Sequence, residues 1–419
     1  MFATLKQIFN PKNKELQKRI LFTFGALFVF KLGLTIIVPG IDKNALGIGR
    51  LGFLELINVM GGGAMENFSI FSLGVMPYIT ASIIVQLLEM DIVPYFSELS
   101  KQGHTGRTKL NAITRYLGIA LAFIQGYMFS FAYVEGADVW TYMQFSVVLT
   151  AGTAFLLWLG DQITAKGIGN GISMLIMAGI IANMPTMFMN AYSGLVGGAS
   201  SFVGILTFVL YILMYFAVVL GVLYVQLSER RIPIQYANKS SAVLGKQNYI
   251  PFKLNSAGVI PVIFASSIIS IPAIIARFAK NDGLTDFINN WLSMTTGTGF
   301  VLYVVFIILF SYFYTFLQLK PKELSENLQK NGGFIPAVRP GKETVDHINY
   351  VLNRITIVGA VFLAILAGLP IIFGLFSNLP SSVTIGGTSL LIVIGVALET
   401  YKQLEGRLVS STYTRGRRR

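Results

Sequence analysis

Cysteine is absent from the sequence, which excludes disulfides and thiol chemistry. The two histidines, His104 and His347, lie far apart with no metal-ligand spacing, so a structural zinc site is not expected. Charge is scarce as well. Asp, Glu, Lys and Arg make up 12% of the 419 residues, roughly half the share of a soluble protein, while 54% of the chain is hydrophobic. With a mean hydropathy of +0.66, the composition suits lipid as solvent and rules out a soluble globular fold. No GxxxxGK[ST] phosphate loop occurs, so any ATP or GTP hydrolysis belongs to a partner. The Gly-rich stretch 167–171 follows a charged loop and opens a membrane helix, without the strand and lysine of a nucleotide cradle. It reads as a tight helix start. There is no HExxH and no hydrolytic grouping of His, Ser and Asp, so an enzyme is not expected and neither is a cofactor or metal.

What the chain does have is a succession of long apolar runs. A hydrocarbon core of about 30 Å takes roughly 20 helical residues to cross, and ten stretches qualify. They run approximately over 20–38, 73–90, 110–130, 142–160, 168–187, 203–226, 258–276, 299–318, 351–373 and 386–404. Unpaired backbone groups are not tolerated in lipid, and runs of this length with Gly and Leu throughout fit helices better than barrel strands. The first run is not a cleaved signal peptide: it contains Lys31 and is followed by Pro39-Gly40 with no small-residue cleavage pattern.

The basic residues set the orientation. Of the 32 Lys and Arg, 25 fall in loops on the side of the N-terminus, against four (Lys43, Arg50, Arg277 and Lys280) on the other. Lys31, Arg115 and Arg354 sit inside or at the edge of spans. This asymmetry predicts both termini in the cytoplasm, which agrees with an even number of spans. It accounts for most of the net charge of +13 without nucleic acid, while anionic lipid stays among the expected partners of the basic side.

Three irregularities interrupt the pattern. Residues 51–70 begin apolar and then run into Gly61, Gly62 and Gly63 and the polar pair Glu66 and Asn67. The segment is too short and broken to span, and is either an external amphipathic helix or a half-helix folded back into a protein-lined cavity. Polar residues also sit within the apolar runs: Thr80, Ser82 and Gln86 after Pro77, then Gln125, Asn170, Ser266 with Ser267, and Gln318. Each alone is explained by an interhelical hydrogen bond, and together they suggest an interior seam reached by water. Finally, loops 227–257 and 319–350 are longer than a connection needs and mix charged with apolar and aromatic residues. They read as solvated turns or, better, as docking surfaces for a large soluble partner, with enough basic charge to suit RNA phosphates.

Six blocks then become specific: LGVMPYITASIIVQLL at 73–88, GIGNGISMLIMAGI at 167–180, SERRIPIQYA at 228–237, NSAGVIPVIFASSI at 255–268, GGFIPAVRPG at 332–341 and LNRIT at 352–356. In order and spacing they resemble the signature blocks of the SecY family (SecY/Sec61-alpha), the central channel subunit of the Sec protein translocase. The resemblance covers essentially the whole chain. It implies an all-α membrane protein whose ten helices form two pseudosymmetric halves around an hourglass pore, 1–187 and 188–404, followed by a basic tail over 405–419. It makes 51–70 a re-entrant plug.

The family's pore ring maps to Val75, Ile79, Ile176, Ile180, Ile263 and Ile392, with Val75 where isoleucine is more usual. Two pairs are spaced i,i+4, as one helical face requires. The lateral gate maps to Thr80, Gln86, Gln125, Ser266 and Ser267, whose polar contacts would hold it shut by about 0.6 kcal/mol each. Arg230, Arg231 and Arg339 are the implied partner contacts. The partners implied are the small subunits SecE and SecG, the SecA motor ATPase, the ribosome with its RNA, and secretory and membrane protein clients, at the bacterial plasma membrane. A secondary transporter would instead need an ionisable or strongly polar midplane site, and an insertase without a through-pore would leave 51–70 with nothing to seal.

Overall fold

A computed structural model describes residues 13–40, 64, 68–89, 93–134, 138–196, 201–236, 248–279, 282–292, 296–376 and 387–416. The apolar runs fold as helices: α1 (Lys14–Gly33), α2 (Met76–Leu88), the short α3 (Pro94–Lys101), α4 (Gly103–Tyr133), α5 (Val139–Lys166), α6 (Gly171–Val196) and α7 (Ser201–Leu227). Two strands follow, β1 (Glu229–Tyr236) and β2 (Asn248–Lys253). After them come α8 (Ile260–Ala279), α9 (Asp282–Trp291), α10 (Gly297–Leu319), α11 (Pro321–Lys330), β3 (Gly333–Phe334), α12 (Lys342–Phe376) and α13 (Gly387–Gly416).

Each of the ten expected spans overlaps one helix, although 20–38 runs past the end of α1 at Gly33, and 73–90 and 168–187 begin before α2 and α6. Among the described residues six helices are long and apolar enough on their own to cross a membrane, and α2 is a shorter apolar helix of 13 residues. The boundaries differ where a helix outruns its apolar stretch. Thus α4 starts at Gly103, α12 at Lys342, and α13 runs on to Gly416. Helix hydrogen bonding does not stop where lipid stops, so hydropathy marks the crossing and not the ends.

The chain divides into two compact units, Met1–Asn190 with Ile392–Arg419, and Ala191–Leu391. From Ile392 onward the last helix packs with the first unit. Leu408 is buried with Leu16 and Ile168, and Thr400 Oγ1 donates to Met174 Sδ at 3.5 Å.

In the first unit small residues let helices approach closely, as membrane helix packing requires. Ser146 Oγ on α5 donates to the Phe123 carbonyl on α4 at 2.6 Å, beside Gly126. A side chain at Gly152 would run into the Ile70 carbonyl, and one at Gly171 into that of Gly160. The Gly-rich stretch at 167–171 is a capped helix start: Asn170 Oδ1 accepts from the N–H of Ile172 at 3.1 Å and of Ser173 at 3.4 Å. Gly169 supplies the left-handed turn before it, at φ 82°.

In the second unit α10 packs against α8 and α12, with Phe264 stacked on Phe310 at 5.1 Å between ring centres. The two long loops build a three-stranded antiparallel sheet of order β2-β1-β3, which refines the all-helical expectation. Ile232 pairs with Ile250, and Gln235 with Phe334. The alternation along β1 explains the strand: Ile232 and Ile234 are buried while Arg231, Pro233 and Gln235 face out.

Candidate functional site

Three groups of residues bear on the site. The first is the return from segment 51–70. Gly61, Gly62, Gly63, Glu66 and Asn67 lie outside the described residues, but the chain that follows them is firmly held. Val38 N–H donates to the Phe68 carbonyl and Ile70 N–H to that of Ile36, both at 3.0 Å. Phe68 is fully buried, with its ring 5.1 Å from Phe129 and 6.4 Å from Phe145. Ala64 is also fully buried, and its carbonyl accepts from Ser69 N–H and from Ser72 Oγ, each at 3.0 Å. Phe71 stacks between Phe30 and Phe155 and lies over Gly33. The strap 68–72 therefore ties α1 to α4 and α5 directly ahead of α2. The sequence reading missed Phe68, because nothing in FSIF separates a structural aromatic from a lipid-facing one.

The second group is the apolar set expected to form a ring. Val75 is the residue that caps α2 and is buried, and its carbonyl accepts the Ile79 N–H at 3.1 Å, so the i,i+4 relation holds although Val75 precedes the helix. Thr153 Oγ1 on α5 donates to the Gly74 carbonyl at 3.1 Å and pins this start. Ile176 and Ile180 are buried on α6, and Ile392 is buried on α13. Those five belong to the first unit, whereas Ile263 is half-buried on α8 of the second. Of the polar set, Thr80 Oγ1 donates to the Met76 carbonyl at 3.2 Å, Gln86 Nε2 to Ser82 Oγ at 3.2 Å, and Ser266 Oγ to the Ile263 carbonyl at 2.9 Å. These bonds lie within their own helices. Gln125 is half-buried on α4, and Ser267 is on α8 with its side chain outside the description.

The third group is the platform that the loops form. Ile232, Phe252, Ile335, Ile348, Leu352 and Ile355 are buried in one core, which joins the hairpin, the 335 turn and the first half of α12. Ser325 Oγ on α11 donates to the Gly341 carbonyl at 3.2 Å, and Thr344 Oγ1 to that of Arg339 at 2.9 Å. On this base Arg230, Arg231 and Arg339 are all exposed. Arg231 is braced by Glu229 at 2.7 Å and lies 4.7 Å over the Tyr249 ring. The hydrogen bond to Glu229, then Tyr249 and the Glu229 charge, raise the Arg231 pKa further above an already high value. Arg339 has its backbone N–H fixed by Glu343 Oε2 at 3.3 Å. The sequence indicated these cations but not the shared core beneath them, whose members are about a hundred residues apart.

A protein-family model for SecY matches residues 69–401. The Protein translocase subunit SecY of Bacillus subtilis is 45% identical over 99% of both chains, and that of Staphylococcus carnosus is 46% identical over the same share. Among solved structures, one described as that of a protein conducting channel matches with a TM-score of 0.62 at 18% identity, over 94% of this chain and 93% of its own. Sec61 in the canine ribosome-channel complex from the endoplasmic reticulum matches with a TM-score of 0.63, at 18% identity and the same coverage. The fold of a multi-spanning helical membrane protein and the match over nearly the full length lead to one conclusion: this chain belongs to the SecY family.

Proposed function

We propose that the chain is the channel subunit of a bacterial protein translocase, passing unfolded secretory polypeptides across the plasma membrane and releasing apolar segments sideways into the bilayer. The observation that carries this reading is the kinship, over 99% of both chains, with proteins named as translocase subunits. The residues add a mechanism. Val75, Ile79, Ile176, Ile180, Ile263 and Ile392 act as an apolar gasket, which disfavours a water column by dewetting and grips no particular peptide sequence. The segment over 51–70 seals the channel at rest. Thr80, Gln86, Gln125, Ser266 and Ser267 line a lateral gate that a signal helix parts.

Transport energy comes from outside the chain. The platform bearing Arg230, Arg231 and Arg339 receives either the ribosome, whose RNA phosphates suit the paired arginines, or the motor ATPase SecA. SecE and SecG complete the membrane complex, anionic lipids face the basic side, and both termini lie in the cytoplasm.

The test is site-specific crosslinking from Ile79, Ile176 and Ile263 to a secretory chain stalled midway through export in vesicles with the motor present. Crosslinks from all three positions are expected. If export proceeds with none, the ring assignment fails and an insertase or transporter reading takes its place.

A further inference from the structure

Arg115 on α4 and Asp161 on α5 form an ion pair at 2.6 Å that bridges two membrane helices. Arg115 sits inside or at the edge of its expected span, and Asp161 directly follows its own. Both side chains are part-exposed, and near the end of a span an ionised group that loses its partner turns toward the interface to regain water. What gives this pair a task is its neighbour. One turn along α4, Gly118 admits α2 so closely that a Cβ there would stand 3.2 Å from Tyr78 Cα. Tyr78 lies in sequence between Val75 and Ile79. Thus α4 is tied to α5 by the ion pair and packs against α2 one turn further on, where the start of α2 carries the first two residues of the apolar ring. Just before that helix's start, Thr153 of α5 donates to the Gly74 carbonyl at 3.1 Å. The beginning of α2 is accordingly seated on α4 and α5, and its position follows theirs.

We infer that Arg115 and Asp161 are positioning residues for the resting channel: the pair locks α4 to α5 where Tyr78 seats, and so fixes how far Val75 and Ile79 project into the constriction. The inference rests on the channel function proposed above. When the pair is broken, the stranded charge turns toward water, α4 and α5 shift, and the ring loosens without losing its side chains. Such a channel leaks at rest and accepts clients whose signal sequences are too weak for the native one.

The experiment compares the full complex carrying Asp161→Asn, Arg115→Gln or the exchange Arg115→Asp with Asp161→Arg, reconstituted in vesicles with the motor. Three readouts are taken: resting ion leak per folded channel, export of a client with an intact signal sequence, and export of one with an impaired signal. Each single variant is expected to raise leak and impaired-signal export several-fold while retaining intact-signal export, and the exchange is expected to bring both back toward native values. Single variants that match the native channel overturn the inference. So do single variants that merely reduce the amount of folded channel with no rise in leak per channel, since that is a structural role alone. A native channel that exports nothing in these vesicles overturns the channel reading, and the inference with it. Native export alongside silent variants overturns the inference alone.

Discussion

Phe68 combines two features that pull against each other. Its ring is fully buried against Phe129 and Phe145, while its backbone is held at φ 45°, where a side chain is unfavourable. Truncating a buried Phe to Ala costs about 3–5 kcal/mol, and the left-handed conformation costs a non-glycine residue about 1–2 kcal/mol. Phe68→Ala is therefore expected to lower the thermal unfolding temperature of the purified protein clearly. Phe68→Gly, despite removing one more carbon, should be no worse, because glycine accepts the backbone angle. A Gly variant far less stable than the Ala variant would show that the strap does not keep this turn in solution. Gly152 gives a converse case. Gly152→Val drives a branched side chain into the Ile70 carbonyl and should destabilise by about 1–3 kcal/mol, read in the same thermal assay.

Among the elements, the hairpin β1-β2 bears the most on function. Reversing both cations, Arg230→Glu with Arg231→Glu, is expected to weaken ribosome binding to vesicles. If both guanidinium groups meet phosphates, the slope of log affinity against log salt should fall by roughly 1–2 units. An unchanged slope would mean that they meet protein carboxylates or nothing. Ile232→Asp acts differently, since it puts a charge into the core shared with Phe252, Ile348 and Leu352. It should abolish docking by unfolding the platform while the membrane helices stay helical, measurable as protease sensitivity confined to the loops.

The hairpin also shows what sequence can and cannot convey. Spans are legible because each 20-residue apolar run reports its solvent directly, and each of the ten overlaps one helix. The ladder of Ile232 and Ile234 was visible in principle, but a stretch with a proline and two arginines reads first as loop. The platform core was not legible, because its contacts join residues 232, 252, 335 and 348. No local pattern carries that information. The ring residues came only from resemblance, since burial at Ile176, Ile180 and Ile392 is shared by many other apolar residues.

At the scale of the whole molecule, α12 is the part that belongs to two environments at once. Its 35 residues measure about 52 Å at 1.5 Å per residue, well beyond a hydrocarbon core of about 30 Å. Ile348, Leu352 and Ile355 lie in the platform core, and further along the same helix packs beside α10. Tyr312 of α10 donates to the Asn353 carbonyl at 3.4 Å near the crossover between the two. Asn353→Pro would remove a backbone donor and break the rod at this point, at a cost of about 3 kcal/mol. The expected outcome is a channel that still binds ribosomes but exports poorly. Export at native rates would mean that continuity here is dispensable. The consequence is mechanical. A partner pressing on the platform loads a stiff strut and not a slack tether, so the thrust of docking reaches the bilayer interior with little compliance to absorb it.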